Sequence, residues 1–296
     1  MYSEITSNKR KTIILIMVFI ALITGLGYFL AEYMGYGYGI MGFAVMLSFV
    51  MTLISYFKGD VIALKSAGAK EIQKQDNPYV CRIVENLALT AGMPAPRVYL
   101  ISSPAMNAFA TGRDPEHAHI AITTGLVESL ENEELEGVVA HELSHIKNYD
   151  IRVMTIVVVL VGAIALLSDI FFRARFFGFG GRRDSGKGGG QFGAILMIVG
   201  IVLLIISPLI AELIKLAVSR KREYLADASG ALLTRYPEGL ARALEKISAS
   251  TAPLQTASNA TAHLFIANPF KKKKMSSLFS THPPVADRIE KLRHMA

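Results

Sequence analysis

The chain has 296 residues, 52% of them hydrophobic, with a formal net charge of +7 and a single cysteine; its mean hydropathy is +0.39 and its pI about 9.4. One cysteine, Cys81, excludes an intrachain disulfide framework and any zinc site built on paired thiolates, and it suits a reducing compartment. A basic balance fits nucleic acid or an anionic membrane equally, but here Lys and Arg gather at the ends of apolar blocks, which points to the membrane and not to nucleic acid.

Residues 13–31 are almost wholly apolar and follow Lys9, Arg10 and Lys11. A membrane-crossing helix needs about 20 such residues, whereas the apolar part of a cleaved signal peptide runs only about 7–15, so an uncleaved span is expected. Residues 36–57 form a second block, entered through a turn at Gly35 and closed by Lys58. Tyr28, Tyr33, Tyr36, Tyr38 and Tyr56 fall where aromatic rings gather at membrane interfaces. Residues 153–172 and 192–217 are the third and fourth blocks. The alternative for each is a buried helix of a large soluble core; it is stronger for the last two, which carry Asp169 and then Pro208, Glu212 and Lys215.

The basic residues before the first block put the N-terminus in the cytoplasm, because positive charge resists translocation. Two spans then return residues 59–152 to that side. The loop 173–191 would lie outside, yet it carries Arg173, Arg175, Arg182, Arg183 and Lys187. Either that loop is an exception or the second pair is a shallow hairpin; four spans are expected. The organisation that follows is an N-terminal transmembrane hairpin (1–58), a first catalytic part (59–152), a second transmembrane pair with a Gly/Arg-rich loop (153–217), and a second catalytic part (218–296). In the loop, Gly181, Gly186 and Lys187 have the spacing of a phosphate-binding loop. Gly188 replaces the required Ser or Thr, and no strand precedes it, so nucleotide binding is not expected.

Just before the third block stands "HELSH", His141 to His145. The preceding segment reads as a helix start, with Asn132 as N-cap and Glu133, Glu134 and Glu136 at the positive end of the dipole. Helix positions four apart are separated by about 40° around the axis and about 6 Å along it, so His141 and His145 face one ion. Glu142 is turned by about 100° and reaches a water on that ion without being a ligand. Imidazoles hold zinc and leave it charged enough to acidify its water to about pKa 7, and a carboxylate beside that water serves as general base. A catalytic zinc takes three protein ligands. Past the fourth block, "EYLAD" sets Glu223 and Asp227 at i and i+4. Glu223 is the expected third ligand, and Asp227 the acceptor for the free ring N–H of His141, a common support of zinc histidines. The competing reading pairs both carboxylates with Arg220 or Arg222 on a solvated helix. With Glu223 as ligand, both flanks of the apolar pair lie on one side of the membrane.

HELSH with EYLAD, a leading pair of spans and an interposed apolar pair resembles the HtpX family of membrane zinc endopeptidases, and more distantly the CaaX prenyl endopeptidases, over nearly the whole chain. The resemblance implies a mainly helical α+β fold: a gluzincin-type domain with a small β-sheet on four transmembrane helices, in the inner membrane and facing the cytoplasm. It implies one zinc per chain on His141, His145 and Glu223, Glu142 as acid/base, and quality control of damaged membrane proteins as the role. Three short strands follow from β-branched residues between Gly and Pro breaks. One of them, with Asn107, Ala108, Phe109 and Ala110, is an edge to which an extended substrate adds by main-chain hydrogen bonds, or else a plain hairpin. His282, in a segment resembling the family's His-Pro motif, either stabilises the oxyanion or merely precedes a helix. His117, His119, His263 and His294 have no spacing partner and are expected in loops or on the surface; the lysine run 271–274 is expected in a solvated loop. A dedicated prenyl-protein protease and a scaffold with structural zinc are the competing functions.

Overall fold

The computed structural model describes residues 2–34, 37–177, 220–258, 260–270 and 283–295. The fourth apolar block, the basic residues 182–187, the lysine run and His282 lie outside them. Helices α1 (Tyr2–Met34) and α2 (Gly39–Ser66) form an antiparallel pair. Two stretches in them, Glu4–Phe29 and Met41–Ser66, are long and apolar enough to cross a membrane. Their outer faces leave Ile13, Met17, Phe43, Met46, Phe49 and Leu53 exposed. So large a contiguous apolar surface on a soluble monomer would be unusual; against lipid it needs no further cover. Their inner faces give Phe19, Ile23 and Ala44 to a cluster with Ile156, Leu160 and Ile164.

The polar body begins with β1 (Ala69–Ile72), followed by α3 (Pro78–Ala91), whose start and stop are both written locally. Asn77 caps it through its side-chain oxygen (3.1 Å from Val80 N), Pro78 opens its first turn, and Gly92 closes it in the left-handed conformation. That is the expected division of labour between residues that accept from a free N–H and one that tolerates positive φ. Strands β2 (Arg97–Ile101), β3 (Ala108–Gly112) and β4 (Ala118–Thr123) complete a mixed four-stranded sheet in the order β1-β2-β4-β3. β4 runs parallel to β2 and antiparallel to β3, so β3 is an edge strand. The three strands expected between residues 97 and 123 are present. β1 was not expected, because "AKEI" is too short and too charged to read as a strand.

After the short α4 (Thr124–Ser129) comes α5 (Asn132–Lys147), in which HELSH sits. Its N-cap is Glu131, one residue earlier than the expected Asn132: Glu134 carboxylate accepts from the Glu131 N–H at 2.9 Å. Helix α6 (Asp150–Phe177) carries the third apolar block and turns 83° away from α5. The corner is tight enough to hold Tyr149 at φ +60. Among the described residues, Asp150–Ala165 is long and apolar enough to cross a membrane when taken together with α5 across that corner. The chain is next described at α7 (Arg220–Thr234), then α8 (Pro237–Ala249) and α9 (Val285–Arg293). α7 and α8 both pack on α5. The contact is close because a Cβ on Gly137 would sit 2.7 Å from Leu240 N, and one on Gly230 3.1 Å from His141 N. The larger hydrophobic core joins α3, the sheet, α5, the start of α6 and α8, and the metal-motif helix runs through it.

Candidate metal centre

The core packing buries every polar group of the motif. His141, Glu142, His145, Glu223 and Asp227 are all between 1% and 5% exposed. A buried polar group has to be paired, and the pairing here is specific. His141 Nδ1 lies 2.9 Å from Asp227 Oδ1, and His145 Nδ1 lies 2.9 Å from Asp150 Oδ2. An ionised carboxylate only accepts, so each Nδ1 carries a proton and each Nε2 is the atom left to face a metal. Those two Nε2 atoms stand 3.2 Å apart. Glu223 completes the face, with Oε1 3.5 Å from His145 Nε2 and Oε2 3.9 Å from His141 Nε2.

Two lone pairs and a carboxylate aimed at one point repel unless positive charge lies between them. The protein without metal answers with a proton. Burial alone would lower the pKa of His145, but the Asp150 hydrogen bond and the Glu223 charge raise it to about 9. His141 is lowered, chiefly by burial. Among the described residues, His141, His145 and Glu223 form the group whose donor atoms fall within 4.8 Å of one another. Two imidazole nitrogens and one carboxylate are also the donor types a catalytic zinc takes. The residues therefore fit a divalent metal of the zinc kind.

Glu142 is turned off the ligand face, as its position one residue after His141 requires. Burial first, then the Glu223 charge, push its carboxyl up to about 7, while the Ala110 N–H donates to it. Asp227 is held below the usual carboxylate range: burial opposes this, but the Arg288 guanidinium prevails. Arg288 is itself buried; Nε and Nη2 donate to Asp227 at 2.8 and 2.6 Å, and Nη1 lies 3.7 Å from Glu223 Oε2.

The family model described as peptidase family M48 matches residues 74–296, three quarters of the chain. The chain belongs to peptidase family M48. Its relatives place it in the HtpX branch: "Protease HtpX homolog" of Caldanaerobacter subterraneus subsp. tengcongensis is 46% identical over 297 residues, covering 100% of this chain and 98% of that one. The protein of the same name in Streptococcus uberis is 45% identical over 299 residues and covered end to end. The crystal structure of S. mikatae Ste24p shares the fold, with a TM-score of 0.51 and 23% identity over 99% of this chain and 67% of that one. This M48 chain is thus a metallopeptidase and a membrane protein, as the HELSH and EYLAD motifs and the apolar blocks led us to expect.

The fold brings together His141, Glu142, His145, Glu223 and Asp227. Arg222, one of the two arginines in the competing reading, pairs elsewhere, with Asp150 at 3.1 Å and Asn8 at 3.2 Å. Ala108, Phe109 and Ala110 do lie on edge strand β3, with Asn107 just before it, but all four are buried. The segment 262–267 covers that edge: Ile266 N donates to Ala108 O at 3.0 Å, and Asn107 Nδ2 donates to Ala267 O at 2.9 Å. Two of the histidines expected in loops or on the surface are not exposed. His263 is buried with Nε2 3.1 Å from Met154 O, and His119 is half-buried with Nε2 3.1 Å from Asp60 Oδ2. Sequence reasoning missed Asp150, because on one continuous helix it would lie too near the histidines to converge on them. The helix in fact ends at Lys147, and the 83° corner swings Asp150 back under His145. It also missed Arg288, whose setting in "ADRIEKL" looks like an ordinary charged helix face.

Proposed function

We propose that this chain is a zinc-dependent endopeptidase that cleaves misfolded or damaged membrane proteins on the cytosolic side of the inner membrane. His141, His145 and Glu223 hold the metal, and Glu142 is the general base. The observation that carries the reading is the pair of facing Nε2 lone pairs with Glu223 beside them. When bound, zinc supplies a Lewis acid for the scissile carbonyl and acidifies water.

The rest falls to side chains. Asp227 and Asp150 keep the protons of both ligand histidines on Nδ1, which leaves Nε2 free to bind. Glu142 takes a proton from the attacking water at its carboxylate and passes it to the nitrogen of the leaving amine. A carboxyl pushed to about 7 by burial is suited to both halves of that exchange near neutral pH. The extended substrate adds to β3, whose outward groups include Ala108 O, paired with Ile266 N; the segment 262–267 gives way as it enters. Main-chain hydrogen bonds of this kind ignore side-chain identity, which suits broad specificity. For His282, a role at the oxyanion rests on its motif position alone. In this reading residues 1–58 and 153–217 form two membrane hairpins, four spans in all, with 59–152 and 218–296 as the catalytic parts.

The test uses the full chain in detergent with a destabilised membrane protein as substrate. Chelation should stop cleavage and zinc should restore it. Glu142→Gln should keep its zinc while losing about 10²–10⁴-fold in rate, the usual contribution of a positioned base. Undiminished cleavage by that variant would eliminate Glu142 as the base.

A further inference from the structure

Behind Asp150, which the proposed chemistry already uses to orient His145, lies a buried network that it does not use, and that network begins in the first membrane helix. Asn8 is fully buried, one turn before the apolar part of α1. Its Nδ2 donates to Asp150 Oδ1 at 2.7 Å and to the Asn148 carbonyl at 2.9 Å. Its Oδ1 accepts from Arg222 Nη1 at 3.2 Å, and the same Nη1 reaches Asp150 Oδ1 at 3.1 Å. The other oxygen of Asp150 takes the Nδ1–H of His145. One amide therefore touches the C-cap of α5, the first residue of α6, and α7. It sits in the 83° corner at which Tyr149 has positive φ.

We propose that Asn8 is a positioning residue for the metal site: through Asp150 it fixes the ring of His145, so that seating of the first membrane helix is a condition for full metal affinity. The physical reason is satisfaction. Asp150 is buried and has to be fed by donors on Oδ1 if Oδ2 is to stay on His145. Asn8 and Arg222 are those donors, and each also holds the other in place. Without the amide, a buried carboxylate loses part of its pairing, and the corner between α5 and α6 loses the bond on Asn148 O. Either change lets Asp150 turn, and the imidazole turns with it. Groups that orient a ligand histidine typically change metal affinity by about 10–100-fold when removed.

The inference rests on His145 being a ligand, and its test separates the two claims. Zinc affinity is measured on the full chain in detergent by competition with a chelator of known strength, with no substrate present. Four variants are compared: His145→Ala, Asn8→Ala, Asn8→Leu, which keeps the side-chain volume but not the hydrogen bonds, and Leu15→Ala. Leu15 is buried in the core on α1, about two turns further along, and as an apolar residue takes no part in the hydrogen bonds of the network. The expected result is loss of tight binding in His145→Ala, about tenfold weaker binding in both Asn8 variants, and unchanged binding in Leu15→Ala. If His145→Ala binds like the parent, the ligand reading fails and this inference with it. If His145→Ala loses zinc while both Asn8 variants keep parental affinity, only the inference fails. If Leu15→Ala weakens zinc as much as the Asn8 variants do, the cause is general loosening of α1, and the inference also fails. Asp150→Asn serves should neither Asn8 variant be recoverable; parental affinity in that variant would break the link between Asn8 and His145.

Discussion

Asp227 and Arg288 set the electrostatic balance behind His141. Both side chains are buried, and their two short hydrogen bonds form a bidentate pair. Breaking such a pair is costly because the surviving charge is left without a partner. Arg288→Met should therefore lower the stability of the metal-free protein by about 3–5 kcal/mol. Asp227→Asn should instead register in zinc affinity, about 10–100-fold, because it weakens the acceptor that keeps the proton of His141 on Nδ1. Denaturant unfolding and chelator competition on the same two variants check both expectations, and the ordering should reverse between the two measurements. This is also the scale at which sequence reading was uneven. His141, Glu142 and His145 are legible because one helical turn sets their geometry. Glu223 and Asp227 are legible because a zinc lacking its third ligand makes a carboxylate pair meaningful. Arg288 lies 61 residues beyond Asp227, and nothing local marks it as the residue that has to neutralise that carboxylate.

Among the helices, α5 is the element on which the others converge, and glycine permits the approach. At Gly137 an added Cβ would meet the backbone of Leu240, 2.7 Å from N and 2.9 Å from Cα. Backbone cannot step aside as a side chain can, so Gly137→Ala should separate α5 from α8 and cost about 1–3 kcal/mol. At Gly230 the nearest atoms are His141 N and Ala140 C at 3.1 and 3.3 Å. Gly230→Ala should cost less in stability but should widen the gap between the histidines on α5 and Glu223 on α7, and so weaken zinc binding. Thermal melts in the presence of chelator, beside zinc titrations of both variants, distinguish the two effects; equal zinc affinity in the two would contradict the account. Elements were legible where the signal is local. α3 shows its Asn77 cap, its Pro78 and its Gly92 in the sequence, and β2, β3 and β4 show their β-branched runs. The 83° corner was not legible, because "IKNYDIRV" contains neither Gly nor Pro. Only packing against α1 and α7 shows why the chain turns there and why Asp150 belongs to the site.

For the molecule as a whole, the α1–α2 hairpin sets orientation, and both of its ends meet the catalytic body. Asn8 lies in the network under His145, and Asp60 pairs with His119 on β4. The 26 residues Glu4–Phe29 extend about 39 Å as a helix, more than the roughly 30 Å of a hydrocarbon core. In the proposed arrangement the turn at residues 37–38 therefore belongs to the opposite face of the membrane. Charge is divided in the same way. Lys9, Arg10, Lys11, Lys58 and Lys65 are at the end near the metal site, whereas residues 31–41 contain Glu32 and no Lys or Arg. Positive residues stay on the cytoplasmic side, and this division of charge is what supports the proposal of a cytosolic catalytic face. Cysteine labelling of intact cells is the direct check. With the buried Cys81 replaced by Ala, Tyr38→Cys, at a position 67% exposed, should react with a membrane-impermeant thiol reagent added outside. Lys74→Cys, whose parent side chain is 65% exposed on the catalytic body, should react only after permeabilisation. The reverse pattern would put the metal site outside the cell and remove cytosolic quality control as its role. Labelling of both positions without permeabilisation would mean that α1 and α2 lie along the membrane and do not cross it, in which case their exposed Met17, Phe43 and Phe49 contact the bilayer only at its surface.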